Sequence, residues 1–408
     1  MGTDLEALYR DLHANPELSF QEHRTANICA EHLAKAGFEV LTGIGGTGVV
    51  GVLRNGDGPV VLLRADMDAL PVQEATGLDY ASTATGTDPE GNTVPVMHAC
   101  GHDMHVTCLI GAGYQLADRL ADWTGTVIAL FQPAEEIGAG AQAMVDDGLF
   151  DKIPKPDVVL GQHVFPVPAG ALYYRPGVLA AASDSLRIRL FGRGGHGSRP
   201  ETTVDPVVMA ASVVLKLQTI VSRRLIPTTP AVVTVGQIHA GSKENVIPDE
   251  AELGVSVRSF DEESRATILA AITQIVEAEA QSAGAPRKPE IETLSSTPAT
   301  NNDPVATERL VAAFADVVGR DLVVEVPPQT GSEDFGRLGA AIGVPSVYWA
   351  FGGCEPTEFW KAVGAGRMNE DIPSNHSPHF APAVQPTLDV GVRALVAAAL
   401  AWVGTTNG

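Results

Sequence analysis

Between residues 4 and 37 apolar side chains recur at helical spacing, first as Leu5, Leu8 and Leu12, then as Ala26, Ile28, Ala30, Leu33 and Ala34. Asn15-Pro16 separates the two runs and Gly37 stops the second. FEVLT then reads as a strand. VVGVL and VVLLR read as two more, joined through the turn residues Asn55-Gly56-Asp57-Gly58. Downstream, residues 106–120 predict a helix, 126–131 a strand, 139–149 a helix and 158–160 a short strand. Apolar strands that alternate with helices imply an α/β sheet covered on both faces.

The pattern changes near Ala180. Residues 184–293 read strand (SLRIRLF), helix (206–221), strand (AVVTVGQI), strand (AELGVSVRSF), helix (262–280) and strand (EIETL). That βαββαβ order fits a small ferredoxin-like domain. After TPATNNDP the first pattern returns, with a helix near 307–318, the strand PSVYWAF and a last helix from Leu388. The expected organisation is one discontinuous α/β domain, residues 1–182 and 294–408, with a mostly parallel sheet covered by helices. Residues 183–293 form the insert.

Composition narrows the partners. At roughly 150 residues per domain, 408 residues suggest two or three domains. Lys+Arg 27 against Asp+Glu 49 leaves a formal charge of −22. Nucleic acid and anionic membranes both demand a basic face, so neither is expected as a partner. The stretch MGTDLEALYRDLH has no basic and apolar leader, and Glu6 breaks a myristoylation pattern. The most apolar stretch, 394–403, is too short to span a bilayer. Four cysteines are too few for a disulfide scaffold. A cytoplasmic enzyme is the expectation.

Gly43-Ile44-Gly45-Gly46-Thr47-Gly48 spells G-x-G-x-x-G, with Asp66 downstream. The dinucleotide fingerprint requires a following helix, and VVGVL is β-branched, so a Gly-rich connection between strands is the better reading. The informative feature is what ends each apolar strand. VVLLR runs into Ala65-Asp66-Met67-Asp68, TVIALF into Gln132-Pro133-Ala134-Glu135-Glu136, and VVL into Gly161-Gln162-His163. His98, Cys100, His102 and His105 crowd one short loop, and His376 lies in Asn375-His376-Ser377-Pro378.

In open α/β sheets ligands bind beyond the carboxyl ends of the strands, so these groups can converge. Each has a plain structural alternative. A lone Cys-x-His is often accidental, adjacent acids are usually solvated, and His163 or His376 could be a core or loop histidine. Together, thiolate and imidazole favour a transition metal over magnesium or calcium. The Glu135-Glu136 pair reads as one ligand and one base. Cys100, His102, Glu136, His163 and His376 exceed the roughly three ligands of one catalytic ion, which suggests two metals.

These residues, together with LHANPELSFQEHRTA, RADMDALPVQE, HACGHDMH, FQPAEE, GQHV, GGHGSRP, ENVIP, VRSF, SEDF and NHSPHF, run along nearly the whole chain. The sequence resembles the M20 metallopeptidase and amidohydrolase family, in the branch of hippurate hydrolases, N-acyl-amino-acid amidohydrolases and plant auxin-conjugate hydrolases. The resemblance implies that Cys100, His102, Glu136, His163 and His376 ligate metal and that Glu135 is the general base. It also implies that the insert is a lid through which a homodimer, or a higher oligomer, forms. Related branches carry His-x-Asp where this chain has Asp66-Met67-Asp68. Asp66 and Asp68, with Asp103, are therefore expected behind the ligands rather than among them. His105 and His379 take no role from the resemblance.

The expected reaction is metal-dependent cleavage of the amide bond of a small N-acyl amino acid, with two divalent ions per subunit (manganese, zinc, cobalt or nickel). His196, flanked by glycines in Gly194-Gly195-His196-Gly197, is the candidate oxyanion donor, and the resemblance implies that it acts from the other subunit. Arg258 is a candidate clamp for the substrate carboxylate. Asn245 is a further polar contact to the substrate. Gly352-Gly353 could line the acyl pocket. The alternatives are a dipeptidase or aminoacylase-type peptide-bond hydrolase on the same dinuclear centre, and a non-catalytic binding protein that keeps the fold. The intact Glu135 and full ligand set argue against the last.

Overall fold

The structure is a computed structural model that describes residues 3–405. The chain divides into two compact units. One comprises residues up to 179, 301–327 and from 334 onward; the other comprises 180–300 and 328–333. The insert is thus wider than the 183–293 span expected from the sequence, because its last strand continues to Thr297 and a short later segment returns to it.

The larger unit is built on a mixed sheet. Its strands are β1 (Glu39–Ile44), β2 (Gly48–Asn55), β3 (Val60–Asp66), β4 (Trp123–Gln132), β5 (Val158–Pro168), β6 (Leu172–Tyr174), β7 (Val323–Glu325) and β8 (Ser346–Cys354). The order is β1-β2-β4-β3-β5-β8-β6-β7, with Gly404–Thr405 pairing to β4. The central run β4-β3-β5-β8 is parallel, whereas β1-β2, β2-β4 and β8-β6 are antiparallel.

Alternate residues of β4 enter separate cores. Val127, Ala129 and Phe131 pack with α1 (Leu5–Ala14), α2 (His23–Lys35), α3 (His102–Asp118), α4 (Pro304–Val318) and α5 (Val384–Leu400). Ile128 and Leu130 pack with Met144 and Leu338 on the other face. Period-two alternation between two apolar cores is why the strands read as continuous hydrophobic runs.

Four local readings are revised. VVGVL and VVLLR are not hydrogen-bonded to each other, because β4 inserts between β2 and β3. The helix expected from residue 106 starts at His102. The strand expected to end at 160 continues to Pro168 and carries His163 within it. The helix expected over 139–149 breaks at left-handed Gly148, φ +73°. The Gly43–Gly48 stretch turns from β1 into β2, a strand rather than a helix, as the sequence predicts.

The smaller unit is an antiparallel four-stranded sheet in the order 231–240, 250–259, 182–191, 290–297. Leu186, Ile188 and Leu190 face a core shared with helices Pro206–Leu217 and Glu262–Ser282. The intervening Arg187 and Arg189 form ion pairs with Glu250, Glu252, Glu290 and Glu292 on the opposite face. Among the described residues no helix is long and apolar enough to cross a membrane.

Candidate metal centre

Strand register brings the first groups level. β3 pairs β4 at Asp66–Gln132 and β5 at Arg64–Gly161, so Asp66, Gln132 and His163 stand at one height in the sheet. The Glu135-Glu136 pair follows directly beyond β4. α3 begins at the same end of the sheet. Gly101 caps it with φ +83°, and a Cβ there would sit 2.4 Å from Val164 Cγ1. Only glycine combines that conformation with so close an approach. The turn delivers Cys100 just before the helix and His102 at its first position.

Four overlapping sets of donor atoms lie wholly within the larger unit. Cys100, His102 and His163 form one, and Cys100, Glu136 and His376 another. His102, Glu135 and Glu136 form a third, and Asp66, His102 and His105 a fourth; within each set the ligand atoms lie within 4.8 Å of one another. Cys100 Sγ is 3.5 Å from His163 Nε2, and His376 Nε2 is 3.4 Å from Glu136 Oε2. His102 Nε2 lies 3.7 Å from Glu136 Oε1 and 3.9 Å from Glu135 Oε2. His163 Nδ1 donates to the Val164 carbonyl at 2.8 Å, which leaves the Nε2 lone pair facing Cys100 Sγ. His376 is the exposed member, held at φ +70° with its N–H bonded to the Ala99 carbonyl.

The electrostatics of this cluster call for a cation. Nε2 of His102 and Oε1 of Glu136 are buried with no hydrogen-bond partner. Burial lifts the Cys100 thiol, and the Glu136 charge adds to it. Burial also lifts the Glu136 carboxyl, against the opposing pull of His102. Burial disfavours charge on His102 too, yet Asp66 and Asp68 outweigh it and hold this imidazole well above its usual range. Orphaned buried donors of the thiol, imidazole and carboxylate types fit a borderline divalent metal.

Asp66 and Asp68 both approach His102. Asp68 Oδ1 is 3.3 Å from His102 Nδ1 and also accepts the Glu135 N–H at 3.0 Å; Oδ2 accepts the Glu136 N–H at 3.0 Å. Asp66 lies 3.7 Å from His102 Nε2 and takes the Nδ1 hydrogen of His105 at 2.5 Å. His105 Nε2 accepts the Val164 N–H at 2.8 Å, so both its nitrogens are engaged. Asp103 pairs with His13 at 2.6 Å.

Residues that sequence reasoning left without a role also support the site. Arg64 reaches Asp66, Asp334 and Gln132. Asn375 Nδ2 donates to the carbonyls of Cys100 and Val164, tying together the segments that carry Cys100, His163 and His376. Arg64, Asp334 and Asn375 fall in quoted motifs, but their partners are remote in sequence. Gly352, considered for the acyl pocket, is packed instead. A Cβ there would lie 1.8 Å from the Pro168 carbonyl oxygen, and one on Gly353 would lie 2.7 Å from Val164 Cγ2.

Residues 62–400 match the family described as Peptidase family M20/M25/M40. The chain belongs to this family. It is 41% identical to the hippurate hydrolase of Campylobacter jejuni over 341 residues, covering 82% of this chain and 84% of that one. Identity to the N-acetylcysteine deacetylase of Bacillus subtilis is 36% over 382 residues, covering 93% and 95%. A solved Bacillus subtilis protein described as a dinuclear metal binding peptidase from the M20 family aligns with a TM-score of 0.76 at 30% identity, covering 97% and 96%. This M20 chain is a metal-dependent amidohydrolase.

The other three candidate residues lie on the smaller unit. His196 is exposed, on a two-residue strand paired to Val246–Ile247. Its Nδ1 accepts the Ser198 N–H at 3.1 Å, which places the ring hydrogen of the neutral form on Nε2. Asn245 is beside it, its carbonyl accepting the Gly197 N–H at 2.8 Å. Arg258 is half-buried, and its Nη1 donates to Ser332 Oγ at 3.0 Å. Burial lowers its pKa, against the opposing charge of Asp184.

Proposed function

We propose that this protein hydrolyses the amide bond of small N-acyl amino acids, with Glu135 as general base. The observation that carries the reading is the placement of Glu135 beside His102 and Glu136, within a cluster of metal-donor side chains. Cys100, His102, Glu136, His163 and His376 would hold two divalent ions, drawn from manganese, zinc, cobalt or nickel. Bound there, the ions would acidify a water and polarise the amide carbonyl.

The chain's own groups do the rest. Asp68 fixes the peptide N–H groups of Glu135 and Glu136 and so orients both carboxylates. Glu135 takes the proton from the attacking water and passes it to the departing amine nitrogen. Proton transfer of this kind contributes typically about 10²–10⁴-fold in rate. His196, with its hydrogen on Nε2, donates to the developing oxyanion from the other subunit. The guanidinium of Arg258 receives the substrate carboxylate, and Asn245 adds a polar contact. The smaller unit forms the homodimer interface, and the enzyme works in the cytoplasm.

The similarity to a hippurate hydrolase and an acyl-cysteine deacetylase supports this substrate class. The test is a panel of N-benzoyl and N-acetyl amino acids beside dipeptides, assayed with each metal in turn. Turnover of acyl amino acids well above that of dipeptides is expected. Cleavage of dipeptides alone would overturn the reading in favour of a peptidase.

A further inference from the structure

The proposed reaction uses no residue of the stretch LHANPELSFQEHRTA, yet its side chains reach the site from behind. Ser19 Oγ donates to Asp68 Oδ2 at 2.7 Å. Glu22 has no solvent exposure and bridges two segments. Its Oε1 accepts the Ala134 N–H at 2.8 Å, and its Oε2 accepts the Thr47 hydroxyl at 2.5 Å.

Ala134 is a strained position. Its φ is +49°, in the left-handed region that residues with a Cβ seldom occupy. Three successive N–H groups, those of Ala134, Glu135 and Glu136, therefore end on two buried carboxylates. The first meets Glu22 and the other two meet Asp68. On the outer side of the turn, the Ala134 carbonyl accepts the N–H groups of Ala139 and Gly140 at 3.2 and 3.0 Å. Glu22 is the inner tether of the same residue.

We propose that Glu22 is a positioning residue: anchored by Thr47, it holds the left-handed turn at Ala134 and so sets the direction in which Glu135 presents its carboxylate. The proposal rests on the reading of Glu135 as general base. The geometry explains why the side chain must be long and two-pronged. One oxygen serves a backbone amide, the other a hydroxyl on the β1–β2 turn. Glutamine keeps the length and can do both, accepting from Ala134 and donating to Thr47. Alanine leaves the Ala134 N–H buried without an acceptor.

The test compares Glu22→Ala with Glu22→Gln in the full chain loaded with manganese. Turnover is followed on an N-acyl amino acid, manganese by elemental analysis, and amide hydrogen exchange over residues 133–139. Glu22→Ala should lower kcat tenfold or more, with KM and manganese content within about twofold of the parent, and should speed exchange across the turn. Glu22→Gln should stay within threefold in kcat. A merely structural role predicts unchanged kcat per folded, metal-loaded site in Glu22→Ala, or equal damage in both variants; either result overturns the proposal.

If Glu22→Ala does not fold, Thr47→Val decides, because it frees only one carboxylate oxygen. A fall in kcat with faster exchange supports the proposal, and neither change overturns it. Glu135→Gln run in parallel separates the two ideas. Retained turnover there removes the base assignment, while the exchange comparison still reports whether Glu22 holds the turn.

Discussion

Arg64 Nη1 lies 2.6 Å from Asp66 Oδ2, and neither side chain has any exposure to solvent. The same guanidinium reaches Asp334 Oδ1 at 3.3 Å and donates from Nε to Gln132 at 2.9 Å. One arginine at the end of β3 thus neutralises two carboxylates from opposite ends of the chain, one of them 3.7 Å from His102. Replacing Arg64 with Met would take the guanidinium charge away from both buried acids. Loss of one partner of a buried pair typically costs about 3–5 kcal/mol. Urea denaturation should show a drop of that order, and an unchanged midpoint would contradict this account of the pair.

Glu135→Gln removes the proposed base and keeps its shape. Metal content by elemental analysis should stay near that of the parent, while kcat falls by about 10²–10⁴-fold, the range for a lost general base. Turnover at the parental rate would end the assignment.

Cys100 belongs to two of the donor sets. Cys100→Ala should therefore lower divalent-metal stoichiometry, and unchanged stoichiometry would remove the thiol from the ligands. Stripping metal from the parent with a chelator should also lower Tm. An ion that binds only the folded chain stabilises it by mass action, and its loss leaves Glu136, Asp66 and Asp68 buried around His102.

His13 gives a pH signature. Burial opposes its charge, but Asp103 and Glu74 outweigh burial and raise it from 6.5 to about 10. The folded state binds this proton more tightly than the unfolded chain. Its contribution is complete below pH 6.5 and is lost as pH rises toward 10. Between pH 6 and 10 the parent should lose more stability than His13→Asn, measured by urea denaturation. Parallel curves would refute this.

Mixed dimers test the donor from the smaller unit. Combining His196→Ala subunits with Glu135→Gln subunits should restore part of the lost turnover if His196 serves the partner's site. No recovery in verified heterodimers would place its action within one subunit or nowhere.

Much of this was legible in the residues alone. Buried strands announced themselves as continuous apolar runs, and the βαββαβ order of the insert could be read from the spacing of its runs. Glu135, Glu136 and His163 stood out because chemistry-bearing groups followed strands that could bury nothing polar unpaired, and Cys100 and His102 because they crowd one short loop with His98 and His105. His105 was visible but carried no role. Only the fold shows its two nitrogens spent on Asp66 and on the Val164 N–H. β2 and β3, read as joined through a turn, do not pair, because a turn signal reports a reversal of the chain, not which strand hydrogen-bonds to which. β4 fills the gap from some 70 residues away.

Local sequence determined the elements and the kinds of donor, because periodicity, turn chemistry and residue type act over a few positions. Tertiary structure alone decided the supports: Arg64 with Asp334, His13 with Asp103, Glu22 with Ala134. Each joins segments far apart in the chain, and each forms because a buried charge or N–H must find a partner wherever packing happens to bring one. No pattern along the chain encodes that search, since the partner is selected by proximity in the closed core.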